Sequence, residues 1–162
     1  MAAILRRQGV SARLYVVGGA AMALAYDAER TTRDLDAVVL TGHGAVIAAA
    51  HEVARRHDLP RSWLNEQASA YVPPGDDAGR VVFDAPGLVV LAASPARLFT
   101  MKAQAARAPD VEDIRTLAGM LDIRDLDRAT RVCDEVMPDQ PLTARSRAVL
   151  QEVFEQEPDE RF

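Results

Sequence analysis

The alternation of apolar and polar positions changes period several times along the chain, and each change predicts an element. Leu14-Tyr15-Val16-Val17 is a short β-branched and aromatic run closed by Gly18-Gly19, after which Ala20 to Tyr26 reads as an alanine-rich helix. A strand pattern returns in Asp34-Leu35-Asp36-Ala37-Val38-Val39-Leu40. Gly42 to Arg56 then places Val46, Ile47, Ala50 and Val53 near helical spacing. Leu59 to Gly79, with Pro60, Pro73, Pro74 and the run Gly75-Asp76-Asp77, predicts mostly irregular surface chain. Val81-Val82-Phe83 and Leu88-Val89-Val90-Leu91 flank Asp84-Ala85-Pro86-Gly87, the pattern of a hairpin added to the sheet.

Downstream the pattern is helical. Ser94-Pro95 starts a helix to Ala106, Pro109-Asp110 begins another to about Leu121, and Asp125 to Val136 makes a third. Pro138 and Pro141 interrupt it, and Thr143 caps a last helix through Glu155 before an acidic tail. The reading is an α/β (α+β) fold in one domain, residues 1–162. A small mixed β-sheet flanked by helices occupies 1–93, and 94–162 is a helical part.

Composition narrows the class. A chain of 162 residues has room for one ordinary core without staples, and its single cysteine, Cys133, has no intramolecular partner. The three histidines, His43, His51 and His57, lie far from it in sequence, so no Cys/His metal spacing arises. No stretch approaches the roughly 20 apolar residues of a membrane span, so a cytoplasmic protein with no membrane partner is expected. Nineteen basic against twenty-four acidic residues leave a formal charge of −5, the wrong sign for broad nucleic-acid binding, so any RNA must be met by a local basic patch.

Asp34 and Asp36 are the sharpest chemical feature. Alternate residues of a strand share a face, so the two carboxylates suit one or two metal ions. The competing reading is two exposed aspartates at a strand start, although Asp is depleted in strands and like charges on one face repel. The preceding Gly18-Gly19 offers backbone N–H groups to a phosphate with no side chain in the way, or is a tight turn with no ligand. Neither the dinucleotide fingerprint nor a Walker A loop is present. Lys102 interrupts the apolar stripe of Leu98, Met101, Ala105 and Ala106, where a lysine needs an anion or a path to water. Asp84 is the nearest downstream acid for a third carboxylate, yet beside Pro86-Gly87 it reads first as turn chemistry.

Val17-Gly18-Gly19-Ala20-Ala21-Met22-Ala23-Leu24, followed by Arg30-x-Thr32-x-Asp34-Leu35-Asp36, resembles the signature of AbiEii-like and DUF6036-type nucleotidyltransferases. Trp63-Leu64-Asn65 resembles the W-L-N segment of the DUF6036 group. Ala93-Ser94-Pro95-x-x-Leu98-x-x-Met101-Lys102-x-x-Ala105-Ala106-Arg107-x-x-Asp110-x-x-Asp113-Ile114 resembles its later helical motif. The resemblance covers roughly residues 14 to 121 and implies a nucleotidyltransferase-type sheet. It implies that Gly18 and Gly19 approach the triphosphate, that Asp34 and Asp36 hold Mg2+ or Mn2+, and that Arg30 and Thr32 line the same pocket. It further implies that Lys102 contacts phosphate and that Asp113 is an additional active-site acid. From the residues alone, Asp110 and Asp113 also read as a helix start with a capping arrangement.

The expected function is metal-dependent transfer of a nucleoside monophosphate from a nucleoside triphosphate to a hydroxyl of RNA, such as tRNA, or of protein. By resemblance, such enzymes are often toxins of toxin–antitoxin or phage-defence modules, which implies a cognate antitoxin as partner. The alternative is a non-catalytic nucleotide-binding or protein-interaction module with the same fold.

Overall fold

A computed structural model describes residues 1–26, 29 and 31–155. Arg30 and most of the acidic tail lie outside these described residues. The chain falls into two compact units: Met1–Val72 with Asp76–Ser94, and Pro73–Gly75 with the chain from Pro95 onward.

The first unit is built on a five-stranded mixed sheet. Its strands are β1 (Ala12–Val16), β2 (Leu35–Thr41), β3 (Leu64–Asn65), β4 (Arg80–Ala85) and β5 (Leu88–Ala92), in the order β3-β2-β1-β5-β4. β1 runs antiparallel to β2 and parallel to β5, β4 and β5 form the expected hairpin, and the short β3 lies parallel to β2. Side chains alternate across the pleat, so Ala12, Leu14 and Val16 share a face with Ala37 and Ala92, and all are buried. Helices α1 (Ala2–Arg7) and α3 (His43–His57) pack on the sheet and on each other, burying Ile4 and Leu5 of α1 and Val46, Ala49, Ala50 and Ala54 of α3 at helical spacing. The opposite face carries Tyr15, Asp36, Val38 and Leu91, with Asn65 beside Asp36.

The Gly-Gly segment opens α2 (Gly18–Ala21), a single turn that continues as a π-helical turn over Met22–Tyr26. The irregular stretch from Leu59 holds β3 and a 3-10 turn, Gln67–Tyr71.

The second unit is helical: α4 (Pro95–Ala105), α5 (Val111–Met120), α6 (Leu126–Val136) and α7 (Ala144–Glu155). α4 is its centre, touching the other three helices through a buried Leu98, Phe99, Thr100 and Ala103. Ile114 and Leu117, Ala129, Val132 and Cys133, and Leu150 and Val153 are the buried residues of α5, α6 and α7. The start of α7 is capped as the sequence predicts, Thr143 Oγ1 accepting from Ser146 N–H at 3.1 Å, and at the start of α6 the Asp125 carboxylate accepts from Arg128 N–H at 2.7 Å. Buried Arg97 donates to the carbonyls of Pro73 and Gly75 at 3.0 and 3.2 Å, which ties that short segment to the helices. Among the described residues no helix is long and apolar enough to cross a membrane.

Candidate functional site

The turn after β1 and the start of β2 meet at one end of the sheet. Val17 N–H donates to the Asp36 carbonyl at 2.9 Å, and Ala93 N–H to the Val16 carbonyl at 2.9 Å, so three strands converge on this turn. Gly18 sits in the left-handed region, φ +62, and a Cβ built on it would lie 3.0 Å from Asp36 Oδ2. Backbone conformation and space therefore both favour glycine here. Of the site candidates, Gly18, Gly19, Asp34 and Asp36 are brought to this one end.

Asp36 is half-buried on the sheet face opposite α1 and α3. Asp34 is exposed and precedes the strand, which begins at Leu35 rather than at Asp34. Thr32 Oγ1 donates to the Asp34 carbonyl at 3.0 Å, a local turn that sets how the chain enters β2. Thr32 is itself exposed.

Lys102 and Asp113 also meet, but inside the helical unit. Lys102 Nζ lies 2.5 Å from Asp110 Oδ1 and 2.7 Å from Asp113 Oδ2, with Lys102 6% and Asp113 2% exposed. The anion that a lysine in an apolar stripe needs is thus supplied by two aspartates of its own unit. This corrects the capping reading of Asp110: a 3-10 turn, Ala108–Asp110, precedes α5, and the Asp110 side chain makes no cap hydrogen bond because it faces Lys102.

Asp84 is at the wrong end of the sheet for a third carboxylate. Its register partner is Val89, which pairs with Arg13, which pairs with Thr41 at the far end of β2. From Asp36 to that row is roughly 15 Å along the strand alone. Two other groups stand at the near end. Asn65 is the direct partner of Asp36 in the parallel β2–β3 register. Asp77 accepts a hydrogen bond from Tyr15 Oη at 2.5 Å and from Ser94 N–H at 2.8 Å. Nearby Tyr26, whose hydroxyl donates to the Ala93 carbonyl at 2.7 Å, has its pKa raised by burial and secondarily by the Asp77 charge, with Arg80 opposing. No local signal marks Asp77, because its partners are far away in sequence.

Among the described residues no group of three or more His, Cys, Asp or Glu side chains has the arrangement of a metal cage. A pair of carboxylates is nevertheless what Mg2+ commonly takes from a protein, with water and substrate phosphates completing its octahedron. The Asp36 carboxylate beside the left-handed Gly18 is a hard oxygen donor of the kind such an ion takes, and Asp34, exposed two residues before it, is a second of the same chemistry. No family model, curated protein or solved structure matches the chain.

Proposed function

We propose that the protein is a Mg2+-dependent nucleotidyltransferase that moves a nucleoside monophosphate from a nucleoside triphosphate to an acceptor hydroxyl. The observation that carries this reading is the contact between the left-handed Gly18 turn and the Asp36 carboxylate, 3.0 Å from where a Cβ would stand. A backbone without side chains beside a carboxylate, with a second aspartate two residues before it, is a combination suited to a metal–triphosphate complex.

In this proposal Asp34 and Asp36 hold the cation, and Gly18 and Gly19 leave the backbone N–H groups open to phosphate oxygens. A Mg2+ held there would relieve the negative charge that develops on the α-phosphoryl group. Thr32 keeps the approach to β2 in one conformation through its bond to the Asp34 carbonyl. Lys102, already held by Asp110 and Asp113, carries no step here. The acceptor is an RNA end or a protein hydroxyl, and the role of a toxin with a cognate antitoxin rests on the motif resemblance. A second reading, nucleotide binding without turnover, is favoured by the wrong-end position of Asp84, which takes away the acid that would have served as base for the acceptor hydroxyl.

The test is incubation with each α-labelled triphosphate, Mg2+ and total cell extract, followed by separate nuclease and protease digestion. Label lost to nuclease identifies RNA, and label lost to protease identifies protein. Asp36→Asn is expected to abolish labelling while keeping the wild-type melting temperature. Nucleotide binding without pyrophosphate release, under every triphosphate, would establish the non-catalytic module instead.

A further inference from the structure

Asp36 and Asn65 are direct partners in the parallel register of β2 and β3, so their side chains rise from the same face of the sheet on strands about 4.8 Å apart. The position of Asn65 is fixed from several directions. Leu35 N–H donates to the Trp63 carbonyl at 2.6 Å, the Trp63 indole N–H reaches the Ala50 carbonyl of α3 at 3.0 Å, and Asn65 Oδ1 accepts from Gln67 N–H at 3.2 Å. A carboxylate at 65 would serve Gln67 equally well, so the local turn does not require an amide. What an aspartate there would add is a like charge directly across from Asp36, which destabilises a strand pair.

Resting on the metal reading above, we infer that Asn65 stands beside the place of that divalent cation as the neutral neighbour of Asp36 and does not itself ligate it. Its oxygen is committed to the Gln67 N–H, so Asn65 is a positioning residue: it fills the neighbouring place and keeps Asp36 free of a competing charge. Affinity for a divalent cation rises with the number of charged ligands, so moving or adding a carboxylate at 65 changes binding in a sense that a merely structural asparagine would not.

The experiment is titration of the protein with Mn2+ alone, followed by the loss of the free-ion electron paramagnetic resonance signal. Four forms are compared: wild type, Asp36→Asn, Asn65→Asp, and the exchange Asp36→Asn with Asn65→Asp. Wild type should bind, Asp36→Asn should lose binding, Asn65→Asp should bind about tenfold more tightly, and the exchange should regain binding lost in Asp36→Asn. The exchange has the net charge of wild type, so it remains informative even if Asn65→Asp folds poorly. Binding by wild type that is lost in Asp36→Asn, unimproved in Asn65→Asp and not regained in the exchange would overturn the role of Asn65 and leave the metal reading standing. Absence of Mn2+ binding by wild type would overturn the metal reading itself, and this inference with it.

Discussion

Gly18 packs against Asp36 so closely that the first carbon of any side chain at 18 would lie 3.0 Å from the Asp36 carboxylate. Gly18→Ala must strain a left-handed residue, at roughly 1–2 kcal/mol, and displace a carboxylate of the candidate site. The expected outcome is a lower melting temperature together with weaker divalent-cation binding. Gly44→Ala in α3, where an added Cβ meets nothing within 4 Å, is the control and should stabilise by about 0.5–1 kcal/mol. Equal effects of the two substitutions would show that residue 18 is under no special constraint.

Lys102 is predicted to be structural to a degree that its motif position does not suggest. Lys102→Met leaves Asp110 and Asp113 facing each other in the helical unit without their cation, and should cost about 3–5 kcal/mol in chemical denaturation. Adding Asp110→Asn and Asp113→Asn to it should restore much of that loss. A Lys102→Met protein as stable as wild type would mean that the cluster is not held together by charge.

Asp77 should be visible through Tyr26. Burial is the larger cause of the raised Tyr26 pKa and the Asp77 charge the second, so Asp77→Asn should move that phenol downward toward its ordinary value without reaching it. Alkaline titration of phenolate absorbance, with Tyr26→Phe to assign the band, reads the shift. An unmoved Tyr26 would separate it electrostatically from Asp77.

The single tryptophan and the single cysteine fall in different units, Trp63 in the sheet unit and Cys133 in α6. Cys133 is fully buried, so a thiol reagent should find nothing in the native protein at neutral pH and one thiol after denaturation. Burial also pushes its thiol up to about 11 from 9.0, the largest cause, with Thr100 acting in the opposite sense. A raised folded-state pKa means that the stability it carries is complete below pH 9 and is lost as pH climbs from 9 toward 11. Thiol labelling in denaturant should therefore shift to lower denaturant over that range, and Cys133→Ala, which has no thiol and is followed by far-ultraviolet circular dichroism, should lack this alkaline component. Labelling that follows the Trp63 fluorescence change at every pH would show that the two units open together.

Much of the framework was legible because it is local. Period-two runs around Val16 and Val38, the Asp-Ala-Pro-Gly hairpin, and the cap at Thr143 all carry their cause within a few residues. β3 was not legible, since a strand of two residues has no period, and only its pairing with β2 makes Asn65 a neighbour of Asp36. The π-helical turn after Ala21 is equally silent, because an alanine-rich pattern specifies a helix without fixing its pitch. That Lys102 needs an anion is legible from its apolar stripe, but which anion depends on how α4 and α5 pack. Asp84 and Asp77 show the same limit from both sides: register removed one from the site end and long-range contact brought the other to it.

The segment around Gly75 shows that the boundary between the units is not one point in sequence. Pro73 and Gly75 give their carbonyls to Arg97, while Asp77, two residues on, receives Tyr15 and Ser94. A fragment ending at Ser94 would carry the Pro73 and Gly75 carbonyls away from their guanidinium. One beginning at Pro95 would keep a buried arginine without them, at about 1–3 kcal/mol for each group left unmet. Recombination between related chains at residue 94 would pair one parent's loop with the other parent's arginine, so these few residues would have to be inherited together with the helices.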